Sequence, residues 1–284
     1  MGVTVPDILR WRHRTGELVL NRTRIMAVLN VTPDSFSDGG LFAKPDAAVR
    51  RALDLVDEGA DILDVGGEST RPGSDPVPAE EEWRRVGPVL RALEGKVDVP
   101  ISIDTRKPEV AEKALASGAS IVNDVSAFRA PGMAQVVARH EAGAVLVHML
   151  GEPKTMQAAP AYADVAQEVR NVLETRLREA IAAGIPPQAL AVDPGIGFGK
   201  TAEQNLEVLR QLDILVSLGR PVVVGVSRKS FLERLGAGGP GQRLPGSLAA
   251  AAFAVLRGAH VIRAHDVLDT VRAMKVADAI LGRA

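Results

Sequence analysis

The sequence predicts a (β/α)8 barrel, on three observations. Eight short apolar runs are spread along the chain, helical patterns lie between them, and nearly every run ends in a polar or glycine-rich cluster. Parallel strands buried on both faces read as such runs, and a barrel enzyme collects its chemistry at the C-terminal strand ends. The competing α/β solution, a doubly wound open sheet, carries a glycine-rich turn after its first strand. Here that turn is Asn30-Val31-Thr32-Pro33-Asp34-Ser35, which has no glycine.

Taken in order, Glu17–Leu20 and the run from Arg24 read as two strands joined near Asn21-Arg22, a short N-terminal β-hairpin whose first strand plugs or flanks the barrel floor. The barrel runs then end as follows: Ile25–Leu29 at Asn30, Asp61–Val65 at Gly66, Ile101–Ile103 at Asp104, and Ile121-Val122 at Asn123-Asp124. Ala144–Val147 ends at His148, Leu190–Val192 at Asp193, Val222–Val224 leads to Ser227-Arg228-Lys229, and Val261-Ile262 ends at Arg263. Between them, Pro45–Glu58, Glu80–Leu93, Pro108–Ala116, Pro131–His140, Ala163–Ala183, Gly246–Arg257 and Asp266–Leu281 have helical spacing. Several open on proline or acidic residues and stop before glycine, as helix ends require.

The 284 residues suit one barrel, and no linker or composition shift divides them, so one domain over 1–284 is expected. A formal charge of −1 gives no global attraction to nucleic acid or membrane, so any anion site must be local. The absence of cysteine removes disulfides and thiolate chemistry, and five scattered histidines make a zinc site a poor expectation. No apolar stretch is long enough to span a bilayer and the start lacks a signal-peptide core, so a cytoplasmic protein is expected.

The strand ends carry the candidate chemistry. Asn30 offers a hard carbonyl oxygen suited to Mg²⁺, ahead of a polar loop reaching Gly40. Arg71, between Thr70 and Pro72 in Glu68–Gly73, reads as an anion clamp. Asp104, Asn123 and Asp193 cap their following helices or, set together in a barrel mouth, read the donor edge of a flat heterocycle such as an aminopyrimidinone. Pro194–Thr201 fails the P-loop pattern at Pro194 and reads as a close-approach turn, with Phe198 free to stack on a flat ligand. Arg228, Lys229, Arg263 and His265 form a cationic corner where barrels often hold phosphate. For His148 a hydrogen-bonding role and a ligand-facing role both fit, while His13, His140 and His260 read as surface or packing residues.

These motifs resemble the dihydropteroate synthase family. The resemblance rests on Leu29–Gly40, Asp64–Gly73, Ile103-Asp104-Thr105, Asn123-Asp124, His148-Met149, Asp193–Lys200, Ser227–Ser230 and Arg263–Asp266, in family order across almost the whole chain. It implies condensation of 4-aminobenzoate with a dihydropterin diphosphate, assisted by Mg²⁺, in a homodimer that sulfonamides target. It further implies that Asp104, Asn123 and Asp193 hold the pterin with Lys229, and that Arg263 stacks on the ring. Arg263, His265 and Asn30 would hold diphosphate and its Mg²⁺. Thr70, Arg71, Asp38 and Phe36 would close over the site; Ser230, Pro72 and Phe36 would meet 4-aminobenzoate, with Met149 among the substrate-binding residues. Lys229, Asp104, Arg71 and Asp38 are the expected catalytic residues. Three rivals share parts of this pattern: a methyltetrahydrofolate-binding methyltransferase barrel, a pterin-binding paralogue without catalysis, and a barrel aldolase using Lys229 as a Schiff base.

Overall fold

A computed structural model describes residues 8–32, 43–69, 73–152, 156 and 161–283. Eight parallel strands form the barrel: β3 (Arg24–Asn30), β4 (Ile62–Gly66), β5 (Ile101–Asp104), β6 (Ile121–Asp124), β7 (Gly143–Val147), β8 (Leu190–Asp193), β9 (Val223–Val224) and β10 (Val261–Ala264). Their order is β8-β7-β6-β5-β4-β3-β10-β9. A parallel bridge between Val192 and Val222 closes the ring, with the Val192 amide donating to the Pro221 carbonyl at 2.9 Å. All eight expected runs are barrel strands.

Alternation along these strands sorts the core into two shells. Ile25, Ala27, Leu29, Leu63, Val65, Ile103 and Val122 pack outward against the helices. Met26, Ile62, Ile121, Val145, Ala191, Val223 and Val261 form an inner apolar ring. A strand has period two, so the residues two positions on lie on the same inner face, one layer higher. Those residues include Asp64, Asn123, Asp193, Gly225 and Arg263. The chain thus places an apolar layer low in the barrel and a polar layer at its mouth.

The N-terminal hairpin differs from its expected pairing. Gly16–Val19 (β2) pairs antiparallel with Arg10–His13 (β1), not with the run from Arg24. The alternation of exposed Arg10 and Arg12 with buried Trp11 and His13 marks β1 as a strand. Trp11 is fully buried in the inner cluster, and its indole N–H donates to the Ala189 carbonyl at 3.1 Å. The hairpin plugs the floor chiefly through Trp11 of β1, a strand the sequence reading did not contain, with Leu20 of the expected Glu17–Leu20 run joining the same cluster.

The outer layer contains α1 (Ala43–Asp57), α2 (Ala79–Leu93), α3 (Pro108–Ala116), α4 (Met133–Arg139), α5 (Val165–Ala182), α6 (Ala202–Arg210), α7 (Asp213–Val216), α8 (Phe231–Arg234), α9 (Leu244–Leu256) and α10 (Val267–Ile280). Helix α6 was absent from the sequence reading. Its start is written in a capping box, where the Thr201 hydroxyl accepts from the Gln204 amide and the Gln204 side chain accepts from the Thr201 amide.

Candidate functional site

The mouth of the barrel is organised around Arg263, which rises from β10. Its Nε donates to Asp64 Oδ2 at 2.6 Å and its Nη2 to Asp104 Oδ2 at 2.7 Å. Asn123 Nδ2 donates to the same Asp64 oxygen at 3.0 Å. Asp64 is fully buried and ties β4, β6 and β10 together. Burial works against a charged guanidinium, but the carboxylates of Asp64 and Asp104 overcome it and hold Arg263 firmly protonated.

Asp104, Asn123, Asp193, Phe198, Lys229 and Arg263 line one cleft, with Val125, Val147, Ile196 and Gly225 between them. Six of the expected site residues are thus brought together. The helix-capping alternative for Asp104 and Asn123 does not hold, because both side chains join the Arg263–Asp64 cluster. Asp193 has a local partner as well: the Gly195 amide donates to its Oδ1 at 2.6 Å.

Burial, aided by the charge of Asp64, pushes the Asp104 carboxyl up against the pull of Arg263. Burial raises Asp193 to about 6, opposed by the Gly195 amide and Lys229. Lys229 is lowered to about 8 by burial and then by Arg263. Such mutually tuned groups in one cleft mark a functional site. Among the described residues two buried oxygens, Asp64 Oδ1 and Asn123 Oδ1, have no hydrogen-bond partner, and of the two residues Asn123 lines the cleft. Unpaired buried acceptors are costly, and those at a cleft wall favour a ligand carrying N–H donors.

The turn after β8 approaches its neighbours closely, as expected. A Cβ at Gly195 would lie 1.8 Å from the His148 carbonyl oxygen, so only glycine fits. Phe198 rides on this turn, and Lys229 Nζ sits 3.9 Å from the centre of its ring, within cation–π range.

In the cationic corner Arg228, at φ +57°, forms an ion pair with Asp266 and is half exposed, while Lys229 and Arg263 line the cleft. His265 shares a 3.1 Å contact with the Ser227 hydroxyl, and burial with Arg263 and Arg228 nearby lowers it to about 3, so it is neutral near pH 7. Ser230 is exposed at the start of α8. Met149 is buried in the inner apolar cluster behind the cleft wall. Asn30 stands half-buried at the end of β3, across the ladder from Gly66. Phe36, Asp38, Thr70, Arg71 and Pro72 lie outside the described residues.

The sequence reading missed several supporting residues. Glu68 accepts from the Val77 amide at 2.7 Å, from Lys107 Nζ at 2.6 Å and from Arg106 Nε at 3.2 Å. It therefore holds the far end of the Glu68–Val77 connection back to its start. Lys107 also pairs with buried Glu82 on α2. Asp124 is structural: its carboxylate accepts from the Ser126 and Phe128 amides. For His148, where the sequence left two roles open, the structure shows the hydrogen-bonding one: it is buried with Lys200 as its partner.

Among the described residues no three His, Cys, Asp or Glu side chains are grouped to hold a metal. The donor set near the mouth fits Mg²⁺ in one way, as an ion held mainly by ligand phosphates and water with one neutral oxygen from Asn30.

Residues 26–265 match the family model described as "Pterin binding enzyme". The dihydropteroate synthase of Neisseria meningitidis serogroup B is 47% identical over 277 residues, spanning 95% of this chain and 97% of the relative. The structure of Xanthomonas albilineans dihydropteroate synthase with 4-aminobenzoic acid is similar at TM-score 0.91 and 46% identity, over 97% of this chain and 99% of that one. Burkholderia cenocepacia dihydropteroate synthase complexed with 7,8-dihydropteroate gives TM-score 0.87 and 42% identity, over 97% of both chains.

Proposed function

The chain belongs to the dihydropteroate synthases of the pterin-binding enzyme family, and from that premise we propose that Asp104, Asn123 and Asp193 hold the pterin ring of its substrate. The reaction joins 4-aminobenzoate to a 7,8-dihydropterin bearing a methyl diphosphate, giving 7,8-dihydropteroate and diphosphate. The observation that carries the site assignment is the cleft in which Asp104, Asn123 and Asp193 meet Lys229 and Arg263.

Asp193 keeps Oδ2 for the donor edge of the aminopyrimidinone, since the Gly195 amide occupies Oδ1. Asn123 Oδ1 supplies a second acceptor. Lys229, still mostly charged at pH 7, faces the ring's oxygen and nitrogen. Arg263 covers the ring face and lends charge to the departing diphosphate, with His265 as a neutral hydrogen-bonding neighbour.

The C–O bond breaks with its electron pair leaving on diphosphate. The resulting methylene cation is conjugated to the pterin and lies near the carboxylates of Asp104 and Asp193. The arylamine then attacks that carbon and releases one proton. Aryl amines are unprotonated near neutral pH, so positioning and charge stabilisation dominate over general-base catalysis. When bound, Mg²⁺ would neutralise diphosphate charge, and Asn30 is the residue that would offer it an oxygen.

Phe36, Asp38, Thr70 and Arg71 complete the proposal as closing groups, Ser230 meets the 4-aminobenzoate carboxylate, and Pro72 and Phe36 meet its ring. Met149 acts from behind the pterin pocket. We also propose a homodimer. Its support is α9, whose thirteen residues include no charged side chain and which leaves Phe253 40% and Leu256 51% exposed. The cytoplasmic location expected from the sequence belongs to the same reading.

The test is direct. The purified protein with Mg²⁺, dihydropterin diphosphate and 4-aminobenzoate should form dihydropteroate and diphosphate in equal amounts. Failure to form either product would refute the assignment.

A further inference from the structure

Lys200 is only 2% exposed, and no step of the reaction uses it. Lysine is almost never buried so deeply without partners. Its Nζ donates to the Gly195 carbonyl at 3.1 Å, the Phe198 carbonyl at 3.2 Å and His148 Nδ1 at 3.0 Å. Three polar atoms thus surround Nζ, two of them on the main chain of one turn. Burial lowers its pKa to about 7, with Lys229 acting the same way and Asp193 opposing, while His148 is held neutral.

The same turn is also held by Asn205, which is likewise 2% exposed. Asn205 Oδ1 accepts from the Gly197 amide at 2.7 Å, and its Nδ2 donates to the Thr201 carbonyl at 2.7 Å. The turn between these two grips touches the cleft at three points. Gly195 orients Asp193 through its amide. Gly197 runs so close to the Lys229 stem that an added Cβ would lie 3.1 Å from Lys229 Cδ. Phe198 lies under the Lys229 ammonium.

We propose that Lys200 and Asn205 are positioning residues for this reaction: they clamp the Gly195–Phe198 turn, and the clamped turn aims Lys229 and Asp193 into the cleft. The inference rests on the reading of that cleft as the pterin site. Releasing either grip lets the turn relax without removing any group that touches substrate. Small displacements of aligned groups are expensive, a shift of about 1 Å costing on the order of 10²-fold in rate.

The experiment compares Lys200→Met, Asn205→Ala and Lys229→Ala in the full-length protein. It reads steady-state constants for both substrates, calorimetric affinity for the dihydropterin diphosphate, and melting temperature. Lys200→Met matches the length of lysine and removes every donor. It should weaken pterin binding and kcat/KM for the pterin by roughly tenfold to a hundredfold, with a change of at most about threefold in the 4-aminobenzoate KM. Asn205→Ala should move the same constants in the same direction, and it carries the test if Lys200→Met does not fold.

A role in stability alone would lower the melting temperature of these variants while leaving pterin constants, measured well below melting, at wild-type values. That result overturns the proposal if Lys229→Ala is crippled in the same assay. Wild-type constants in Lys229→Ala as well would instead refute the reading of the cleft.

Discussion

Replacing Asp64 with alanine should be among the most damaging single changes in the barrel mouth, although Asp64 touches no substrate in the scheme. Its Oδ2 receives both Arg263 Nε at 2.6 Å and Asn123 Nδ2 at 3.0 Å. Removing one partner from a buried ion pair costs about 3–5 kcal/mol. Asp104 still accepts from Arg263, so the lower end, about 3 kcal/mol, applies. Leaving the buried Asn123 amide without its acceptor adds about 1 kcal/mol. A loss of about 4 kcal/mol, set against an unfolding entropy of roughly 0.6 kcal/mol/K for a chain of this length, lowers Tm by about 7 °C. Asp64→Asn keeps an acceptor for Asn123 and should recover about 1 kcal/mol of this. Scanning calorimetry measures the shift, and titration calorimetry should show weakened pterin binding because Arg263 and Asn123 lose their common support. A melting temperature within about 2 °C of wild type, together with unchanged pterin affinity, would refute the reasoning.

Two further outcomes follow from the same geometry. Burial raises Asp193 to about 6, above the ordinary aspartate value of about 3.9, so the folded state binds its proton more tightly. Its favourable contribution to stability is complete below the ordinary value and is lost as pH rises through about 6. Wild type should therefore lose stability relative to Asp193→Asn across that window in parallel urea melts, and a constant difference would contradict the shift. Gly195→Ala should destabilise by more than about 3 kcal/mol, since a left-handed alanine and a Cβ colliding with the His148 carbonyl act together. Recovery of that variant as a soluble protein with wild-type urea midpoint would show that the turn can move.

Much of this was legible in the sequence because barrel chemistry is written at strand ends. Asp104, Asn123, Asp193 and Arg263 each interrupt or finish an apolar run, and the period-two pattern places them on the inner face above an apolar layer. Asp64 obeys the same rule, two residues after Ile62, yet it was missed because it lies inside its run rather than at the end. Arg228 and Lys229 are adjacent in one motif, but their partners differ in a way the sequence does not show: Arg228, at positive φ, pairs with Asp266, while Lys229 lines the cleft. The clamp of Lys200 and Asn205 could not be read at all, since its acceptors are backbone carbonyls whose convergence depends on the turn. Helix α6 was readable from Thr201 and Gln204, as was the floor strand from buried Trp11 and His13 between exposed arginines.

The central claim is that one cleft at the barrel mouth takes the pterin through Asp193. Titration calorimetry of the dihydropterin diphosphate against wild type and Asp193→Ala tests it most directly. The account predicts saturable one-to-one binding to wild type and no detectable binding to the variant, with both proteins folded by circular dichroism. Equal affinity in the two would contradict it.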